Sequence, residues 1–198
     1  RVEVRLQLLG EHNVRNALAA SAAAPAAGAP ARNIADAFAQ VAPVPGRLQI
    51  RSAPSGATLI DDTYNANPAS FEAALEVLGG FEGEVWLALG DMAELGDRSV
   101  EFHEQAGRAA REAGVTRLYA TGSLSAHVVR VFGEGATHFQ SREALGEALS
   151  GAMEASAKGE ALTVLLKGSR SAGMEKVVQA LVARERTADE QTPHKVES

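Results

Sequence analysis

The stretch Asp61-Asp62-Thr63-Tyr64-Asn65-Ala66-Asn67-Pro68 gathers two carboxylates, two carboxamides, a hydroxyl and a phenol in one short segment. An apolar run, Ala57 to Ile60, leads into it, and a helical pattern, Ser70 to Leu78, follows it. Open α/β sheets bind ligands at the carboxyl ends of their strands, so a polar strand-to-helix junction is placed to hold one. Asp62 could accept from a ribose hydroxyl or reach a cation through water. Asp61 or Asp62 could equally cap the following turn. Asn65 and Asn67 shape a turn before Pro68, and either can also face a ligand.

Similar clusters recur further on: Gly90-Asp91-Met92-Ala93-Glu94-Leu95-Gly96, Thr121-Gly122-Ser123 and Lys167-Gly168-Ser169-Arg170. Asp91 and Glu94 suit a loop cap, a cation or an amino group. Lys167 and Arg170 can pair with a carboxylate. His103 reads as a solvent-facing or core-satisfied histidine rather than a general base. Earlier in the chain, Asn13 and Asn16 share a face of the first turn of a helical pattern. Two carboxamides so placed could read the donor/acceptor edge of an adenine. Alternatively Asn13 caps the helix and Asn16 lies on its surface. Arg47 follows Pro43-Val44-Pro45-Gly46, a hinge-like sequence, and arginine is the side chain for a bidentate phosphate clamp. On its own it also reads as an ordinary surface residue.

The elements that must position these groups fall into two parts. Residues 1–9 alternate and predict a strand. A helix is expected over 13–24, broken by Pro25, and a second over 33–41 with Asn33 as its cap. One strand and two helices bury little core, so residues 1–43 read as the end of a preceding domain in a longer chain. From residue 48 strands and helices alternate. Strands are expected at 48–52, 58–60, 85–89, 118–120, 137–139 and 162–166, and helices at 70–78, 99–113, 126–132, 141–155 and 174–182. This pattern predicts an α/β fold: a Rossmann-like, doubly wound domain of about six strands over 44–186. Residues 187–198 read as a polar tail.

Composition narrows the function. The chain has 198 residues, 22% charged and 45% hydrophobic, as a globular protein has. Its formal net charge of -6 argues against nucleic acid as a partner. The absence of cysteine excludes disulfides, thiolate metal sites and a cysteine nucleophile. No apolar run is long enough to span a bilayer, so no membrane insertion and a cytoplasmic location are expected. There is no Gly-x-x-x-x-Gly-Lys-Ser/Thr loop, no Gly-x-Gly-x-x-Gly after a strand, and no histidine pair at metal-ligand spacing.

The order of motifs supplies what single residues do not. Gly10-Glu11-His12-Asn13-Val14-Arg15-Asn16-Ala17-Leu18-Ala19-Ala20, Pro45-Gly46-Arg47 and the Asp61 to Pro68 stretch resemble the Mur ligases of bacterial cell-wall synthesis. Gly90 to Gly96, His103, and Lys167 to Arg170 followed by Met174-Glu175-Lys176-Val177-Val178 are most similar to the branch that adds D-alanyl-D-alanine to UDP-N-acetylmuramoyl-tripeptide. The resemblance spans residues 6–182. It implies ATP and Mg2+ as cofactors of the full-length enzyme, with the phosphate loop, the magnesium ligands and the UDP-substrate domain outside this segment. By the same resemblance Asn13, Asn16, Arg47 and Asp62 are nucleotide contacts. Asn65, Asn67, Lys167, Ser169 and Arg170 are substrate contacts, and no residue here is itself catalytic. The implied reaction phosphorylates the peptide carboxylate, and the dipeptide amine then attacks the acyl phosphate. The segment alone is expected to be inactive, and a monomer is expected. Two other readings are another amino-acid ligase of this fold, such as a folylpolyglutamate synthase, and a non-catalytic nucleotide- or dipeptide-binding module.

Overall fold

A computed structural model describes residues 3–30, 32–156, 159 and 161–183. Its centre is a six-stranded sheet of β1 (Gln49–Ser52), β2 (Thr58–Asp62), β3 (Glu84–Gly90), β4 (Arg117–Thr121), β5 (Ala136–Phe139) and β6 (Leu162–Lys167). The spatial order is β1-β2-β6-β3-β4-β5. β1 pairs antiparallel with β2, and every other pairing is parallel. β6 is the last strand in the chain but lies between β2 and β3, and this insertion decides where the site forms.

Successive strand residues point to opposite faces, so each apolar strand feeds two cores. On one face Ile60, Leu87, Leu89, Leu118 and Leu165 pack under α3 (Pro68–Leu78), α4 (Ser99–Glu112) and α5 (Ser125–Phe132), through Phe71, Ala106 and Val128 among others. On the other, Leu59, Trp86, Ala88, Val164 and Leu166 pack under α6 (Arg142–Ser156) and α7 (Glu175–Ala183), through Leu145, Leu149 and Val178. β6 and β3 are almost wholly buried, which is why their sequences run apolar without alternation. The helix after β6 covers one face, and the helices after its neighbours β2 and β3 cover the other. A crevice therefore opens at the carboxyl end of β6.

Helix α3 starts where the polar stretch ends. Asn67 is its cap: the Asn67 side chain accepts from the Ser70 N–H at 2.9 Å, and the Ser70 hydroxyl accepts from the Asn67 N–H at 3.1 Å. Pro68 occupies the first helical position, where no N–H is needed. The Asn67→Ala variant is expected to lose about 1 kcal/mol. A thermal melt should show this as a fall of roughly 2–4 °C, and an unchanged melt would remove the cap from the account.

The first forty residues depart from the expectations. Residues 3–9 form no strand, because no strand among the described residues lies beside them to complete a ladder. Helix α1 (Glu11–Ala26) begins two residues earlier than expected. Its cap is Gly10, at φ 90°, a backbone angle that glycine takes freely and asparagine rarely. Asn13 sits in the first turn instead, and its Nδ2 donates back to the Leu9 carbonyl at 2.7 Å. Pro25 lies inside the last turn of α1 rather than ending it. Asn33 is likewise inside α2 (Arg32–Ala39), not its cap. The segment between Ala39 and Gln49 is irregular. The polar tail expected over 187–198 lies outside the described residues.

Candidate functional site

The carboxyl ends of β2, β6 and β3 stand side by side, with Asp62 in register with Lys167 and Lys167 with Leu89. Lys167 is buried, with a side chain 1% exposed, and its Nζ donates to Asp62 Oδ2 and to the Asn65 carbonyl, the latter at 3.0 Å. The other Asp62 oxygen, Oδ1, accepts from the Leu48 N–H at 3.2 Å. Asp62 thus ties the residue after Arg47 to the end of β6. Leu48 holds φ 47°, an unusual angle for a branched side chain that this bond helps to fix. Burial pushes the Lys167 ammonium below the ordinary lysine value; Asp62 pulls it back up, and Arg47 adds to the lowering.

Asp61 turns inward. Its Oδ1 accepts from the Thr63 hydroxyl at 2.6 Å and the Thr63 N–H at 3.3 Å, closing the turn that presents the next residue. That residue, Tyr64, is 45% exposed and donates its N–H to the Gly46 carbonyl. The Arg47 guanidinium lies 4.2 Å from the Tyr64 ring centre, and that of Arg170 lies 5.8 Å from it. Asn65 and Asn67, both exposed, continue along the edge.

Two open cavities flank Tyr64. One, about 730 Å3, is lined by Tyr64, Asn65, Asn67, Glu94, Ser169 and Arg170 together with neighbouring loop residues. The other, about 670 Å3, lies between Arg51, Asp61, Thr63, Tyr64 and Arg170 on one side and Glu175, Val178 and Gln179 of α7 on the other. The loop after β6 reaches the first cavity because Gly90 and Gly168 leave it room. A Cβ at Gly90 would lie 2.7 Å from Ala172, and one at Gly168 would lie 2.8 Å from Met174. Ser169, buried, donates its hydroxyl to the Asp91 carbonyl at 2.7 Å, which pins the same loop.

Asp91 and His103 are supports, and His103 takes the core-satisfied role expected of it. The Asp91 carboxylate accepts from the Ser125 N–H at 2.7 Å, the Ser125 hydroxyl at 2.6 Å and the Leu124 N–H at 3.2 Å. It caps α5 from another strand, satisfying N–H groups that a helix start leaves without partners. Asp91→Ala should lower unfolding free energy by about 2 kcal/mol in a denaturant titration. His103 is fully buried. Its Nε2 accepts from the Met92 N–H at 3.0 Å, and its Nδ1 lies 2.6 Å from the Ser99 carbonyl. Both ring nitrogens are engaged with backbone, so His103 holds the Asp91–Gly96 loop to α4 and is not a free base. Among the described residues no three His, Asp or Glu side chains group to hold a metal ion.

The structure brings Arg47, Asp62, Asn65, Asn67, Lys167, Ser169 and Arg170 to one edge. It does not bring Asn13 and Asn16 there. Neither lines the two cavities beside Tyr64. The start of α1 instead borders a cleft with Glu76, Val77, Gly80 and Phe81, at the far end of α3. An α-helix of that length spans about 16 Å. The residue that sequence reasoning passed over is Tyr64. Its position at the strand exit was visible, but nothing local could show two arginines, one from the linker and one from the loop after β6, meeting its ring.

The family profile described as "Mur ligase, glutamate ligase domain" matches residues 46–170. The chain belongs to the Mur ligase family. It is 42% identical over 180 residues to the UDP-N-acetylmuramoyl-tripeptide--D-alanyl-D-alanine ligase of Escherichia coli K12, covering 91% of this chain and 39% of that one. Its fold superimposes on a crystal structure of MurF from Acinetobacter baumannii with a TM-score of 0.83 and 33% identity, covering 91% of this chain and 40% of the other. A folylpolyglutamate synthase from Mycobacterium tuberculosis, complexed with ADP and AMPPCP, is a more distant neighbour: TM-score 0.64, 25% identity, 96% of this chain and 43% of that one. The chain thus spans about two fifths of the length of the curated Mur ligases it matches. The strand-end edge belongs to the segment that the family profile covers. Among the described residues no helix is long and apolar enough to cross a membrane.

Proposed function

We propose that this chain is the closing, substrate-presenting part of an ATP-dependent ligase that joins D-alanyl-D-alanine to UDP-N-acetylmuramoyl-tripeptide in peptidoglycan precursor synthesis. The 42% identity across 91% of the chain to a ligase of that name carries the reading. The site geometry agrees with it. Arg47, on the linker, is the group that meets the ATP phosphates; Asp62 keeps free acceptor capacity for a ribose hydroxyl beyond its bonds to Leu48 and Lys167. Asn65, Asn67, Ser169 and Arg170 border the cavity that takes the dipeptide, with Arg170 as the partner of its carboxylate. Lys167 acts on the ligand side only through the Asp62 carboxylate and Asn65 carbonyl that it orders. Asn13 and Asn16 are the adenine-side contacts, which in this reading requires the 1–43 segment to meet the 44–186 domain differently when nucleotide is bound.

ATP supplies the phosphoryl group that activates the peptide carboxylate. The residues of this chain bind and orient the dipeptide and, on closure, keep water from the acyl phosphate. Magnesium is held elsewhere in the complete enzyme. Nucleotide-linked substrates place the work in the cytoplasm, and the ligase acts as a monomer.

The test joins the part of the E. coli ligase that precedes the matched region to this chain. Phosphate release should then require both the UDP-linked tripeptide and D-alanyl-D-alanine, while the 198-residue chain alone should release none. A folded chimaera that accepts glutamate in place of the dipeptide would move the protein to another branch of the fold. Micromolar ATP binding by the chain alone would overturn the assignment of the phosphate loop to another segment.

A further inference from the structure

Tyr64 stands where the linker and the loop after β6 come together. Its backbone N–H is held by the Gly46 carbonyl, and the preceding turn is locked by Asp61 and Thr63, so the ring is presented from a rigid base. It lines both cavities at the strand ends, as does Arg170. Arg47 lies 4.2 Å from its centroid, and Arg170 lies 5.8 Å from it. Arg47 and Arg170 are both exposed, and among the described residues neither is in an ion pair. A long side chain without such a tether loses rotamer entropy when it grips an anion. The ring face removes part of that freedom in advance and leaves the guanidinium edge open to an incoming oxygen.

We propose that Tyr64 is a positioning residue that holds Arg47 and Arg170 on a shared aromatic platform, ready for two different anions: phosphate at Arg47 and a carboxylate at Arg170. This rests on the ligase reading above. The platform links the two ligands physically, because the same ring orders both cations. Its grip is unequal: Arg47 sits well within cation–π range, and Arg170 lies near its outer limit of about 6 Å.

Tyr64→Leu removes the π-face while keeping apolar bulk on a half-exposed side chain. In the dipeptide-dependent ligase described above, the variant should raise the KM for ATP about two- to fivefold and that for D-alanyl-D-alanine by less, with kcat nearly unchanged. Tyr64→Phe should restore both, since the platform needs a ring and not a hydroxyl. A readout free of activity comes from NMR of the 198-residue chain. The Arg47 Nε–H signal should lose its ring-current shift in Tyr64→Leu and keep it in Tyr64→Phe, with melting temperatures matching the parent in both. Unchanged KM values for Tyr64→Leu in an active ligase, or failure of Tyr64→Phe to restore them, would overturn the platform. A parent ligase without dipeptide-dependent turnover would instead overturn the functional reading, leaving the NMR comparison to decide the platform by itself.

Discussion

Replacing Lys167 with Met should destabilise the protein by about 3 kcal/mol at neutral pH, seen in a denaturant titration. The Asp62 side chain is 13% exposed and the Lys167 side chain 1%, so the variant leaves a carboxylate almost out of water with, among the described residues, only the Leu48 N–H as partner. The Asn65 carbonyl loses its donor as well. Pairing the change with Asp62→Asn should return more than half of the loss, because a neutral amide has no charge to leave uncompensated. An additive double variant would mean that the two side chains act independently. The pH dependence carries a definite sign. Burial lowers the Lys167 pKa below its unfolded value in spite of Asp62. Between the folded and unfolded values the unfolded chain therefore binds more protons, and stability rises with pH through that alkaline window. Below the folded value the full penalty of burying the charge is present. Lys167→Met should lack this alkaline rise. The pair is thus better described as a device that fixes the geometry of the strand ends than as a net source of stability.

The second large effect is expected from Arg47→Ala. In the complete ligase it should lower kcat/KM by about a hundredfold, the usual scale for removing one preorganised donor aimed at developing phosphate charge. Arg47→Lys should recover part of this, keeping the charge but losing the planar fork and much of the stacking on Tyr64. Folding should be little affected, because Arg47 is exposed and its contact of note is the Tyr64 ring. A variant with parental kcat/KM would make Arg47 an ordinary surface arginine and place the phosphate clamp elsewhere.

The sequence by itself determined the sheet. All six strands and the helices over 70–78, 99–113, 126–132, 141–155 and 174–182 fall within a few residues of where their apolar runs and spacings put them. Buried strands need unbroken apolar runs, and the helices need one apolar face; both are local demands written into local sequence. The ordered motifs also carried the family. Two of the local signals failed for want of a partner or of a permitted angle. Residues 3–9 alternate as a strand does but have no neighbour to pair with, and the cap of α1 went to Gly10 because the chain needed a positive φ there.

Only the tertiary structure decided which polar residues stand at the strand-end edge and which support it. Asp91 and Lys167 look alike in sequence as charged groups at strand ends. The placing of β6 between β2 and β3 turns Lys167 toward Asp62, and the start of α5 engages both oxygens of Asp91. Conversely, Tyr64 looks like a spacer between Thr63 and Asn65 until Arg47, seventeen positions earlier, and Arg170, more than a hundred later, converge on its ring. Contacts of that sequence separation depend on strand order. No local pattern encodes strand order, because it is set by how the whole sheet buries its two faces.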